Sequence, residues 1–203
     1  MNEGAFKERA NRLAVALASI SPRRRQLLES LDIEVVVVAS RYDEDAHHDD
    51  YDDPLELVLA HALGKAAEAD GAGPPLLVAA DTAVVIDGDI LGKPRDAAEA
   101  AAMLRRLSGR RHEVHTGFAV TDRAAGRTVS GVESTRVTFE PLDGAQIARY
   151  VATGEPMDKA GAYGIQGRGA LLVASIDGDF YTVMGLPLAR LGRAFASLGY
   201  ELL

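Results

Sequence analysis

LASISPRRRQLL, residues 17–28, is the stretch on which the reading of this chain turns. The apolar run from Leu13 to Ser19 reads as a buried strand, and it passes directly into Ser21-Pro22. Serine is a favoured N-cap and proline is favoured at the first helical position, so a helix starts here and ends near Leu31. Arg23 and Arg24, with Arg25 behind them, then fall in the first turn, where the helix dipole disfavours cations. Two readings fit. One is a solvated basic turn; the other is a cradle in which the first-turn amides and guanidiniums meet a phosphate.

Outward from this point, apolar segments alternate with helical ones. Ile33 to Ala39 reads as a strand buried on both faces. Ser40 to Asp53 is a polar loop with seven acidic residues and the pair His47-His48, which lacks the i, i+4 spacing of a helical metal pair and reads as surface. Asp53-Pro54-Leu55-Glu56 has capping-box spacing and opens a helix to about Ala69. Leu76–Ala80 and Ala83–Ile86 read as strand on either side of Asp81-Thr82, with a turn at Asp87-Gly88-Asp89. Asp96 and Glu99 open a further helix that runs to Ser108. His112–Thr121 and Arg127–Phe139 form a hairpin about the turn Ala124–Gly126. A helix over Asp143–Thr153 precedes a Gly-rich loop, 154–169. Leu171–Ile176 and Phe180–Val183 read as strands, and Pro187–Leu198 closes the chain as a helix. The hairpin rules out a purely parallel sheet. The expected fold is a single α/β domain over 1–203, with an elongated mixed sheet flanked by helices and residues 1–12 as an N-terminal extension.

Composition narrows the function. The 203 residues are 47% hydrophobic, enough for a substantial core, but contain no Trp. A net charge of −8 argues against nucleic-acid or anionic-membrane binding, though not against a local basic site for a small polyanion. The absence of cysteine excludes disulfides, thiolate catalysis and Cys-ligated zinc, and suits a reducing cytoplasm. Lys7, Arg9 and Arg12 before Leu13–Ile20 raise the question of a signal peptide. The apolar run is only eight residues, Glu3 and Glu8 dilute the basic region, and three arginines follow it. No run approaches the roughly 20 apolar residues of a membrane span. The expectation is a cytoplasmic protein with no membrane partner.

Asp81 interrupts an apolar run, and a carboxylate there must be hydrogen-bonded, paired or metal-bound. A capped bulge would satisfy it structurally. A phosphoaspartyl phosphatase would need a second acid two residues on, where this chain has Ala83. Gly92-Lys93-Pro94-Arg95 holds a lysine beside glycine and proline, which can fix its direction toward a phosphate. Lys65 on an Ala-rich helix reads equally as surface or as site. Glu44 opens the acidic loop, of which one or two carboxylates at most would hold a metal. Gln166 lies in the Gly-rich segment, and an amide offers both donor and acceptor to a nucleobase edge.

LASISPRR at 17–24, AADTAVV at 79–85, LGKPRDAAEAAAMLRRLSG at 91–109 and DKAGAYGIQG at 158–167 together resemble the Maf family of nucleoside triphosphate pyrophosphatases, from about Leu13 to Leu198. The resemblance implies a fold related to the inosine-triphosphate pyrophosphatases, with a central cleft. It also implies cleavage between the α- and β-phosphates that depends on a divalent cation, Mg²⁺ or Mn²⁺, and a homodimer. Asp81 falls at the family's proton-acceptor position and Glu44 at the acid of its acidic motif. Ser19, Arg23, Arg24, Lys65 and Lys93 fall at phosphate-site positions. Arg23, Thr82 and Gln166 resemble the combination of the dTTP/UTP-hydrolysing group rather than that of the 7-methyl-GTP group. Ile20, the N-terminal extension and the highly charged loop at 41–53 depart from the pattern. A nucleotide-binding regulator of cell division and a broad-specificity pyrophosphatase are the alternative readings.

Overall fold

The computed structural model describes residues 12–203. The N-terminal extension read at 1–12 lies outside the described residues except for Arg12, which pairs with Asp32 at 3.1 Å. One seven-stranded mixed sheet carries the fold, in the order β2-β1-β3-β5-β6-β7 with β4 on the edge of β3. β1 (Ala14–Leu17) runs parallel to β2 (Glu34–Val37) and to β3 (Leu76–Ile86). The rest is antiparallel: β4 (Asp89–Leu91), β5 (Arg111–Asp122), β6 (Arg127–Phe139) and β7 (Val173–Asp177). The expected hairpin is β5–β6, in register from Arg111↔Thr138 to Asp122↔Arg127. Its turn is closed by the Asp122 carboxylate, which accepts from the N–H groups of Ala124 and Ala125 at 3.0 Å each.

Side chains alternate across β3, as the pleat requires. Leu76, Val78 and Ala80 join a core built with α1 (Pro22–Glu29) and α6 (Leu188–Leu198), through Leu27, Leu28, Leu191 and Phe195. Further along the strand, Val84 and Ile86 join a second core under α3 (Ala97–Leu107) and α4 (Gly144–Val151). Leu77, Ala79, Ala83 and Val85 lie in smaller clusters with Ala66 and Val58 of α2 (Pro54–Ala67), which covers the opposite face. Pro22, Pro54 and the Asp96 and Asp143 caps stand where the sequence predicts helix starts. The Asp143–Gln146 pair forms a complete capping box, whereas the Asp53 carboxylate accepts from Leu55 N–H at 2.9 Å rather than from Glu56.

Four expectations are corrected. β3 does not break at Asp81-Thr82, because β5 pairs with it continuously from Leu76 to Val85 and supplies both residues with partners. β2 is not buried on both faces. Among the described residues it has β1 as its only neighbour in the sheet, and Val36 and Val37 stand 38% and 45% exposed. Phe180–Val183 is not a strand but the start of a short helix, α5 (Phe180–Met184), capped by the Asp179 carboxylate on Thr182 N–H at 2.7 Å and ended at Gly185. The final strand begins at Val173, not Leu171, because Gly167–Leu172 coils into 3₁₀ turns, as do Glu155–Asp158 and Ala160–Ala162 of the Gly-rich loop.

One topological detail makes the cleft. β1 and β4 pair with the same edge of β3, β1 at Leu77 and Val78 and β4 from Val84 to Ile86. Between them that edge of β3 has no strand beside it among the described residues, and Asp81 and Thr82 lie in the gap.

Candidate active site

The cleft that opens at this gap has a volume of about 1130 Å³. Its floor is β3, and its walls are the β1–α1 turn, the acidic loop, the strand-to-helix segment around Lys93, and the Gly-rich loop. Six cations line it, Arg23, Arg24, Lys65, Lys93, Arg95 and Lys159, against the carboxylates Glu44, Asp81 and Asp158. A chain with a net charge of −8 thus concentrates positive charge in one place. Every residue singled out from the sequence lines this cleft: Ser19, Arg23, Arg24, Glu44, Lys65, Asp81, Thr82, Lys93 and Gln166.

Asp81 points to the α2 face. Its Oδ1 accepts from Lys65 Nζ at 2.8 Å, and its Oδ2 lies 3.1 Å from His61 Nδ1. Lys65 Nζ also lies 2.8 Å from Glu44 Oε2, so one ammonium joins the two carboxylates. Burial alone would raise the Asp81 pKa, but the His61 hydrogen bond and the charges of Lys65 and Arg24 outweigh it. The carboxyl is held well below the usual carboxylate range. Asp81 is therefore an anion at physiological pH, a better ligand than base. The anion must accept, so His61 Nδ1 carries the proton, and the buried Nε2 has no hydrogen-bond partner among the described residues. A buried polar atom left unpaired costs about 1–3 kcal/mol. An apolar residue would suit this helix face better, since its neighbours are Leu57, Val58 and Ala62.

Two glycines let these groups meet. Gly117 of β5 sits directly opposite Asp81, and a Cβ there would lie 2.2 Å from the carbonyl oxygen of Val58. The bare backbone lets α2 settle onto the sheet, carrying His61 and Lys65 to the carboxylate. Gly64 does the same for the acidic loop, because a Cβ there would lie 2.2 Å from the Tyr42 ring. Tyr42 lies across α2 with its edge contact to His61 at 5.7 Å, and Glu44 follows two residues later.

Thr82 faces the other way, toward α1. Arg24 reaches across with Nε to Gly185 O at 2.8 Å, Nη1 to Ser19 Oγ at 3.2 Å and Nη2 to Thr82 Oγ1 at 3.0 Å. Thr116 donates to Thr182 O at 2.8 Å, so its oxygen must accept from Thr82 at 3.0 Å. The donors run in one direction, Arg24 to Thr82 to Thr116 to the carbonyl of Thr182. Ser21 occupies the N-cap position of α1 without a side-chain cap bond. By helix geometry the Arg23 and Arg24 amides have no intrahelical acceptor, and both residues line the cleft.

Arg23 pairs with Asp158 at 3.3 Å, and Lys159 Nζ lies 2.6 Å from the same carboxylate. Lys93 and Gln166 are exposed on the rim and make no side-chain hydrogen bond among the described residues. Ile20 is 93% exposed beside them. Sequence reading missed His61, although its position, four residues before Lys65 and thus on the same helical face, was the available signal. Asp158 and Lys159 were noticed only as part of a motif. Glu44, His61 and Asp81 each bring one donor atom within 4.8 Å of the others, a mixed nitrogen and oxygen set able to hold a divalent ion. His47 stays outside that group and pairs with Asp50 at 2.8 Å.

Fold and site together define an α/β protein whose central strand presents a partly buried carboxylate to a cation-rich cleft, an arrangement suited to a polyanion and a metal at once. The chain belongs to the Maf-like protein family, whose profile matches residues 14–198. It is 51% identical over 187 residues to a dTTP/UTP pyrophosphatase of Symbiobacterium thermophilum, covering 92% of this chain and 94% of that one. A protein of the same name from Dictyoglomus turgidum is 43% identical over 193 residues, covering 95% and 100% of the two chains. Among solved structures, the Staphylococcus aureus Ham1 protein is similar at a TM-score of 0.41 and 14% identity, over 62% of this chain and 71% of that chain. No helix among the described residues is long and apolar enough to cross a membrane.

Proposed function

We propose that this chain hydrolyses dTTP and UTP between the α- and β-phosphates, releasing the nucleoside monophosphate and pyrophosphate. The observation that carries this reading is the excess of cations around one partly buried, firmly ionised carboxylate, on a chain that is otherwise acidic. Relatives named dTTP/UTP pyrophosphatases, matching most of the chain at 43–51% identity, support the choice of substrate.

In this reading the triphosphate lies along the cations. Arg24, fixed by three neutral acceptors, presents a positive charge that no direct carboxylate contact among the described residues cancels. Together with Arg23, Lys93 and the first-turn amides of α1 it binds the phosphates and stabilises the charge that develops on the leaving pyrophosphate. Ser19 and Thr82 hold the guanidinium in place, and Lys65 keeps Glu44 and Asp81 together. Glu44 and Asp81 are the residues that would hold a divalent cation, which would neutralise phosphate charge and make a bound water acidic. Asp81 orients the attacking water and accepts a hydrogen bond from it. Its depressed pKa makes it a weak base on its own. Gln166, unpaired on the rim, offers its amide to the carbonyl and imide N–H of a pyrimidine.

In this reading residues 1–203 are a single domain with 1–12 as an N-terminal extension, and the working form is a cytoplasmic homodimer, whose dimeric state light scattering tests. The test of function is a panel of dTTP, UTP, CTP, GTP and ATP with Mg²⁺ or Mn²⁺, with products resolved by ion-exchange chromatography. Monophosphate with pyrophosphate, fastest from dTTP and UTP, is the expected result. Diphosphate with orthophosphate, or no turnover, would overturn the reading.

A further inference from the structure

We propose that His61 is a third ligand of the divalent-cation site, beside Glu44 and Asp81, and that its imidazole biases that site toward a transition metal such as Co²⁺ over Mg²⁺. The inference rests on the metal-dependent reading above and deepens it. Three separate segments converge here: the loop after β2 brings Glu44, α2 brings His61 and β3 brings Asp81, with all three donor atoms within 4.8 Å of one another. His61 Nδ1 lies 3.1 Å from Asp81 Oδ2; a bound ion would take the place of the proton on Nδ1, which moves to Nε2, so that the neutral ring ligates through Nδ1 at about 2.1 Å.

The protein's own chemistry shows that the place favours positive charge. Lys65 Nζ lies 2.8 Å from both Glu44 Oε2 and Asp81 Oδ1, so the two carboxylates already share a cation. The ring beside them is buried against the Asp81 carboxylate. His61 is only 3% exposed and leaves Nε2 without a hydrogen-bond partner among the described residues. Its orientation is fixed from two sides, by Asp81 at one edge and by the Tyr42 ring against it. A pre-aimed imidazole alters what the site selects. Mg²⁺ prefers an all-oxygen octahedron and keeps its waters, whereas Co²⁺ gains from nitrogen ligation.

The test uses the full chain without nucleotide. Titration calorimetry with CoCl₂ and with MgCl₂ should show Co²⁺ binding at least ~100-fold more tightly, with a visible Co²⁺ absorption band. His61→Gln keeps a side-chain N–H for Asp81 but supplies no imidazole. It should lose at least ~10-fold in Co²⁺ affinity and shift the band, while Mg²⁺ affinity stays within about threefold. Pulsed EPR of the Mn²⁺-loaded wild-type chain should show coupling to an imidazole nitrogen, a readout that needs no variant. Absence of that coupling, or a His61→Gln chain with unchanged Co²⁺ affinity and spectrum, would overturn the role of His61 and leave the pyrophosphatase reading standing. A wild-type chain that binds neither metal yet releases pyrophosphate would overturn the metal site itself.

Discussion

Gly117→Ala is the perturbation that most directly tests how the site is assembled. The substitution adds one methyl group, and at an ordinary strand position that would be harmless. Here the new Cβ would lie 2.2 Å from Val58 O, 2.4 Å from Val58 C and 2.7 Å from Leu59 N. Ordinary contact begins near 3.4 Å, so α2 must lift by about 1 Å or the strand must bend. The obstructing atoms are backbone, and no side chain can rotate out of the way. Overpacking of this kind costs about 1–3 kcal/mol, and the backbone clash puts it near the top of that range. For a chain of this size that lowers Tm by roughly 6–12 °C. Lifting α2 also draws Lys65 and His61 away from Asp81, and a misplacement of about 1 Å in a catalytic constellation costs on the order of 100-fold in rate. Differential scanning calorimetry and a pyrophosphate-release assay measure the two effects independently. A Gly117→Ala chain with Tm within about 2 °C of wild type and turnover within threefold would refute the claim that this close approach assembles the site.

Asp81→Asn should preserve the fold and lower turnover at least ~100-fold in a pyrophosphate-release assay; near-wild-type activity of the folded variant would remove Asp81 from the catalytic assignment. Lys93→Ala should raise KM for dTTP, UTP and ATP by similar factors without lowering Tm. Arg24→Ala should do both, since Arg24 also ties α1 to Gly185 and Thr82. Gln166→Glu should reduce pyrimidine turnover more than purine turnover, and an unchanged ratio would sink its role as base reader. Burial holds His112 neutral, with its pKa pulled down from 6.5 to about 4. As pH falls, the unfolded chain therefore takes up a proton before the folded one does. Stability is full above about pH 6.5 and declines by about 3 kcal/mol down to about pH 4. Urea melts of wild type and His112→Phe at pH 7 and pH 4.5 should differ in slope for this reason, and parallel behaviour would count against it.

The helix starts were legible because each rests on local chemistry: Pro22, Pro54 and the Asp96 and Asp143 caps act through the next three residues. The β5–β6 hairpin was legible for the same reason. Misread segments depended on what lay beside them. IEVVVVA at 33–39 is apolar enough for a central strand, but periodicity cannot say that only one strand will pair with it. Phe180-Tyr181-Thr182-Val183 has strand propensity, and the Asp179 cap with Gly185 overrode it within five residues. The catalytic candidates were readable individually as charges in apolar or Gly-rich company. Their arrangement was not, because it turns on absent side chains at Gly117 and Gly64, and an absence carries no periodicity. His61 was hidden for a related reason, since one polar residue on an apolar helix face looks like an ordinary core histidine until the strand beneath it is known.

The pairing of the cleft's cations also says where an anion binds first. Arg23 and Lys159 share Asp158, and Lys65 is held by Glu44 and Asp81, so an incoming phosphate must compete with a carboxylate for each of them. Arg24 is different. Among the described residues its hydrogen bonds go to a carbonyl and two hydroxyls, neutral acceptors that satisfy its geometry and leave its charge intact. Burial pulls the guanidinium down from its usual value, while Asp81 and Glu44 push the other way through space. A buried charge held by neutral dipoles is screened less than a surface one and costs no reorganisation when its counter-ion arrives. In the proposed reading Arg24 is therefore the fixed point of the phosphate site, and Lys93, exposed and without an ion pair among the described residues, is free to swing onto the anion. Arg23, Lys159 and Lys65 are groups that a triphosphate must win from Asp158, Glu44 and Asp81. Such exchange makes binding depend on several negative charges arriving together, and it disfavours a monophosphate, the product the site has to release.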